Sequence, residues 1–180
     1  MARTSDRRIQ MTKRMLKEEL VRVSASRDPD EVTIKEICEG AGVSRVTFYK
    51  YYGSVHDLME ETAKSAMEKI FEEGEPDASE MENIVRYIML NRSLYLLLIE
   101  KGYYEKFMAE YLKKRIRQSG IADEESEITK AQTQYAVSGL SGLMQYCLKT
   151  EPDITPKKLA ALILRFHKSW DSDVSELKDL

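Results

Sequence analysis

Apolar residues recur along the 180-residue chain at intervals of three and four, with charged positions between them. That spacing gathers apolar groups on one face of an α-helix. Ile9, Leu16, Leu20 and Val23 make the first such stripe, predicting a helix over about residues 6 to 26. Pro29 in "SRDPDEV" breaks it. Thr33 and Glu36 then form a Thr-x-x-Glu capping box. It opens a short second helix with Ile34, Ile37, Cys38 and Ala41 facing inward. Ser44 suits the cap of a third helix, and Ser54 with Asp57 opens a fourth running to about Phe71. "EEGEPDAS" reads as a linker, closed by another box at Ser79 and Glu82.

Beyond it, Ile84, Val85, Ile88 and Met89 keep helical spacing, and a break is expected at Asn91 to Ser93. "LYLLLIEKG" fits a buried strand or a buried helix; its helical neighbours and scarce β-branching favour the helix. Tyr103 to about Gln118 is the next, ended by Gly120. The acidic "ADEESE" suits the positive end of a helix dipole better than a metal site, and its helix continues to about Lys149. Thr155 followed by Pro156 marks the last start, a cap and then a first-turn proline. Leu159, Leu162, Ile163, Phe166 and Trp170 share a face of it. The expected fold is all-α with about nine helices. Its expected division is a three-helix domain over 1–53 and a helical body over 54–180.

Composition agrees with an ordered, packed chain: 42% apolar, 33% charged, with four prolines and eight glycines. No apolar run approaches the roughly 18 residues of a membrane span. "MARTSDRRIQ" lacks the apolar stretch of a secretory signal. Cys38 and Cys147 sit within apolar helical patterns and read as reduced core residues of a cytoplasmic protein. The net charge of −3 is uneven: residues 1–54 hold 11 Lys/Arg against 8 Asp/Glu, the remainder 17 against 23. A basic amino-terminal third on an acidic body is what a protein needs to touch phosphate at one end.

The stretch "EICEGAGVSRVTFYKYY" gives that charge a shape. Gly42 can take the positive-φ conformation that ends a helix sharply. Val43 is expected to plug the core beneath the turn, and Phe48 and Tyr52, four apart, to face inward. Arg45, Lys50 and Tyr51 then point out, with Thr47 and Tyr49 at the flanks. Two short helices joined by a glycine turn, the second carrying donors, make a helix-turn-helix. Arg45 can fork onto guanine O6 and N7, and Thr47 can meet a thymine methyl or a phosphate. Tyr49 and Lys50 suit phosphate oxygens, which set register. Lys35 can reach the groove edge, and Arg3, Arg7 and Arg8 form a candidate arm.

"TIKEICEGAGVSRVTFYKYYGSVHDLM", Thr33 to Met59, closely resembles the DNA-binding pattern of the tetracycline-repressor (TetR) family. "YAVSGLSGLMQYCLKTEPDITPKKLAAL" is similar, less closely, to the family's C-terminal helix pair. The resemblance implies that Thr33 contacts phosphate, and that Lys35, Ser44, Arg45 and Thr47 meet bases or nearby phosphates. It implies backbone contacts for Tyr49, Lys50 and Tyr51. Three positions depart from the pattern. Val55, followed by His56, stands where relatives usually have lysine, which puts one phosphate contact in doubt. Cys38 replaces a common alanine. Tyr52 replaces a phenylalanine and brings a hydroxyl that needs a partner.

The resemblance also implies a homodimer joined by a four-helix bundle, with Leu140, Leu143, Met144, Leu159, Leu162, Ile163 and Phe166 at the interface. Gly139 and Gly142, each costing roughly 1 kcal/mol in mid-helix, fit a close approach of backbones there. A pseudo-palindromic duplex is the expected partner of such a two-fold pair. The family's body holds a small molecule, and Tyr87, Tyr95, Phe107, Met108, Tyr111 and Tyr135 are candidates to line a pocket; Tyr103 and Tyr104 share their character. Some relatives answer to a protein partner instead. The expectation is a DNA-binding transcriptional regulator, a repressor relieved by an effector, with an architectural DNA-binding protein as the rival. An enzyme is not expected: His56 and His167 are the only histidines, and no metal spacing, phosphate loop or serine elbow is present. No cofactor is expected.

Overall fold

The computed structural model describes residues 2–25, 31–70, 78–119 and 126–176. Among them the secondary structure is helical, in nine helices: α1 (Ala2–Ser24), α2 (Ile34–Ala41), α3 (Arg45–Tyr49), α4 (Val55–Glu68), α5 (Ala78–Leu90), α6 (Arg92–Glu100), α7 (Tyr103–Ser119), α8 (Glu127–Thr150) and α9 (Pro156–Glu176). The chain divides into two compact units, Met1–Ala66 and Met67–Leu180. Most of α4 therefore groups with the first unit, whereas the expected division at 53/54 assigned it to the second. Two ion pairs account for that. Lys13 and Lys17 of α1 each approach Glu61 of α4 at 2.9 Å.

In the first unit, Leu16, Leu20, Ile37, Phe48 and Leu58 are fully buried and form the centre on which α1 to α4 converge. Residues 2–8 belong to α1, so Arg7 and Arg8 project from a helix rather than from an arm; Arg3's side chain lies outside the described residues. Pro29 and Phe71 also lie outside them. Gly40 is not part of the turn. It sits in α2 beneath Glu19 of α1, where an added Cβ would fall 1.9 Å from Glu19 Oε1. Glu19 is held by Arg22 through two hydrogen bonds, of 2.8 and 2.5 Å. Those bonds from Arg22 hold its carboxyl below the ordinary range, against the opposing effect of burial.

In the second unit α5 packs along α9, α7 against α8, and α6 against both α7 and α8. The apolar stretch at "LYLLLIEKG" is the helix α6, with Tyr95, Leu97, Leu98 and Ile99 buried. Arg92, at the start of α6, closes the end of α8: it donates to the carbonyls of Leu148 and Lys149 and pairs with Glu151. Glu151 occupies the left-handed region at φ 47°, so this pairing secures a conformation that L-residues seldom adopt. Thr155 caps α9, its hydroxyl accepting from the Lys158 N–H at 3.3 Å. Ser79, expected to open a box with Glu82, lies in the first turn of α5, which begins at Ala78. Of the acidic stretch expected at the start of α8, Glu127 stands in its first turn and 122–125 lie outside the described residues, as do Gly120 and the side chains of His167 and Trp170. Cys38 and Cys147 are both buried free thiols, and burial pushes both thiols up from their ordinary pKa.

Candidate nucleic-acid interface

The sequence encodes the supports of α3 before it encodes α3. At the entry to α2, the Thr33 hydroxyl accepts from the Glu36 N–H while the Glu36 carboxylate accepts from the Thr33 N–H at 2.9 Å. At the exit, Gly42 takes φ 64°, ψ 30°. Its N–H donates to Glu39 O, and the Val43 N–H donates to Cys38 O at 2.9 Å. This six-residue closure satisfies carbonyls that would otherwise be orphaned, and it needs a left-handed residue at its corner. Val43 is only half-buried there, so it flanks the core rather than plugging it.

Ser44 then caps α3, accepting from the Thr47 N–H at 3.1 Å. The two hydroxyls of Ser44 and Thr47 are also bonded, at 2.9 Å. Phe48 and Tyr52 are sunk into the unit, with rings 5.6 Å apart, and Tyr49 stands edge-on to Phe48 at 5.7 Å. With those anchors inside, Arg45, Tyr49 and Lys50 are exposed and Thr47 is half-buried. Tyr51, expected to point out, is half-buried: the Lys13 ammonium lies over its ring at 5.9 Å and over that of Tyr52 at 5.5 Å. Lys35 is exposed on α2, 3.9 Å from Glu39. Val55 is half-buried at the start of α4, and His56 beside it is exposed.

The Tyr52 hydroxyl is buried without a hydrogen-bond partner among the described residues. Burial, followed by the nearby Glu61 carboxylate, pushes its pKa far above the ordinary phenol value. Burial also opposes ionisation of Glu61, but hydrogen bonds from Lys13 and Lys17 outweigh it, and the carboxyl is held below its ordinary 4.5. A further bond, 2.8 Å from Lys17 to Ser65, extends this seam along α4. Val46 escaped the sequence reading altogether. It is 71% exposed on α3, while Phe48 on the same helix is 0% exposed. Its wheel position, one turn before Lys50, was the available signal.

Residues 18–62 match the family model of the bacterial regulatory proteins of the tetR family. That stretch matches a TetR-family DNA-binding domain. No curated protein sequence matches it. Among solved structures, a TetR transcriptional regulator from Streptococcus agalactiae 2603V is similar over 97% of this chain and 99% of its own, with 18% identity and a TM-score of 0.67. The dihydroxyacetone kinase operon activator DhaS is similar over 89% and 96%, with 14% identity and a TM-score of 0.63. The fatty acid degradation regulator FadR from Bacillus halodurans follows over 87% and 96%, with 16% identity and a TM-score of 0.58. At these identities the likeness is one of fold. It places the TetR-like all-α architecture across both units.

The second unit redistributes the residues first grouped as interface and pocket. Met144, Leu159 and Ile163 are buried inside the unit, where they pack its own core. Leu140, Leu143 and Leu162 are half-buried, and Phe166 is exposed. Tyr135 is 81% exposed on α8, so it lies on the surface and not in an interior pocket. Its neighbours on that surface are Gly139, Gly142 and Tyr146, at three- and four-residue steps. An added Cβ at either glycine meets nothing within 4 Å among the described residues. Among the described residues, no close backbone approach explains them.

Tyr95, Tyr104 and Met108 are buried, and Tyr87, Phe107 and Tyr111 are half-buried. The Tyr87 and Tyr95 rings meet edge to face at 6.1 Å. Burial, then the neighbouring phenols of Tyr87 and Tyr104, raises the Tyr95 pKa well above its ordinary value. Close to Tyr104, Glu105 Oε1 accepts from the Ser141 hydroxyl of α8, while Glu105 Oε2 is buried with no hydrogen-bond partner among the described residues. Among the described residues no three His, Cys, Asp or Glu side chains cluster as a metal site, and no helix is long and apolar enough to cross a membrane.

Proposed function

We propose that the chain is a homodimeric, sequence-specific transcriptional regulator that sets α3 into the major groove of a pseudo-palindromic duplex. The observation that carries this reading is the outward face of α3: Arg45, Val46, Tyr49 and Lys50 exposed together on a helix anchored by Phe48 and Tyr52. Arg45 supplies a bidentate fork for guanine, and Lys50 and Tyr49 supply donors for phosphate. Thr33 and Ser44 contribute mainly as caps, because their hydroxyls are already engaged within the turn. Lys35, Thr47 and Tyr51 flank the groove-facing surface. The dimer reading draws on the exposed stripe of Tyr135, Gly139, Gly142 and Tyr146, which small residues leave open to a second backbone.

Control by an effector in the second unit is supported by the unpaired Glu105 oxygen beside Tyr104 and Ser141. A ligand carrying a hydrogen-bond donor would satisfy an acceptor whose burial without a partner costs about 1–3 kcal/mol. We read the outcome as repression relieved by that ligand. Activation is the second reading, since one of the fold-related structures is named as an operon activator. The test is titration of duplex fragments from the gene's own upstream region against purified protein at low ionic strength, followed by a reporter fused to the fragment that binds. Saturable preference for one palindrome, with reporter output falling on binding, supports the proposal. Rising output selects activation, and binding equal to that of random duplex defeats sequence-specific regulation.

A further inference from the structure

We propose that Val46 reads the C5-methyl group of a pyrimidine in the operator, so that affinity depends on a methyl in the major groove. This inference rests on the DNA-binding reading above. Val46 is the most exposed large apolar side chain described in the first unit, at 71%. Phe48 and Tyr52 occupy the buried side of the same turn, and exposed Lys50 lies one turn along. Val46 is thus at the middle of the free face, between the arginine fork and the lysine.

The fold offers no reason for it. A β-branched residue loses rotamer freedom in a helix, and an exposed one gains no burial in return. Lysine, glutamine or alanine would serve the helix better. The major groove does offer a reason. Along the base edges it presents donors, acceptors and a single kind of apolar group, the methyl at C5 of thymine. An isopropyl group neither donates nor accepts, so it selects only by burying that methyl or by losing the contact. Cytosine presents bare C5–H, and 5-methylcytosine presents the same methyl as thymine. Thr47, the other residue with a methyl to offer, is half-buried, with its hydroxyl bonded to that of Ser44 at 2.9 Å. Val46 is the better placed of the two.

The experiment uses the full chain and the tightest operator found by selection from random duplexes. Each thymine is replaced in turn by deoxyuridine, and each cytosine by 5-methylcytosine, in both half-sites. Binding is measured for the wild type, Val46→Ala and Val46→Ser. One methyl contact corresponds to about fourfold in affinity per half-site. The expected result is one pyrimidine position per half-site at which wild-type binding loses its methyl contact on T→dU, or gains one on cytosine methylation. At that position Val46→Ala and Val46→Ser bind methylated and unmethylated duplexes alike, while keeping wild-type circular dichroism. Wild-type binding indifferent to every methyl overturns the inference, as does full methyl dependence in both variants. If the wild type binds no duplex at all, the DNA-binding reading itself fails, and this inference with it.

Discussion

Two helical faces in this molecule are exposed without a covering element described in their own unit, and they are written in different chemistry. The outward face of α3 carries a guanidinium, an ammonium, a phenol and one isopropyl group. That of α8 carries two tyrosine rings and two glycines, Tyr135, Tyr146, Gly139 and Gly142. A surface rich in cations and donors remains well hydrated alone and gains by displacing counterions from phosphate. A surface of aromatic rings over bare backbone is poorly hydrated and gains most by meeting another apolar surface. The difference is one of chemistry: the first face is compatible with a nucleic acid, the second with another apolar surface.

The sharpest way to break this comparison is to fill the α8 face. Gly139→Arg places a side chain where the chain itself offers no obstruction, so the fold should survive with unchanged circular dichroism. If α8 meets a second copy, light scattering at micromolar concentration shows a monomer, and operator affinity falls roughly 100-fold or more as the linked second half-site is lost. A persisting dimer would remove α8 from the interface. Next in size are the contrasting substitutions on α3. Arg45→Ala should cost about 1–3 kcal/mol on the cognate duplex and relax its sequence preference. Lys50→Ala should weaken all duplexes alike and flatten the logarithmic salt dependence by roughly one unit per lost contact. A sequence-selective loss from Lys50→Ala would exchange the two roles.

The smallest effect concerns the seam beneath α3. Because Glu61 is held below its ordinary 4.5, its ionised form stabilises the first unit above that pH. That contribution is lost as pH falls through the lowered pKa. Glu61→Gln should lower the melting temperature at neutral pH by an amount set by a partly exposed network, within about 1 kcal/mol. The gap between wild type and variant should close as pH falls below about 4.5; a gap constant with pH would show that the carboxylate's charge does not matter.

Legibility in the sequence followed the range of the interaction concerned. The Thr33–Glu36 box, the Gly42 corner, the Ser44 and Ser54 caps and the Thr155–Pro156 start all appear where the residues predict them. Each is closed by hydrogen bonds within a few residues, so local sequence contains both partners. The inward direction of Phe48 and Tyr52 was equally legible, because a four-residue interval in a helix brings two side chains to one face. The family motif lies in this same stretch, which is why the head could be read so fully.

What the sequence by itself determined is therefore the order of the helices, their caps and the donor-bearing face of α3, all consequences of backbone geometry over a turn or two. Only the tertiary structure decided which apolar faces are spent on the chain's own core. Periodicity placed Met144, Leu159, Ile163 and Tyr135 on helices but could not tell that the first three turn inward while Tyr135 meets solvent. It left Val46 unnoticed and gave no sign that Gly40 makes room for Glu19 of another helix. A helix's own sequence specifies which side chains share a face; what that face touches depends on elements distant in the chain, and the burial that results exists only after they have packed.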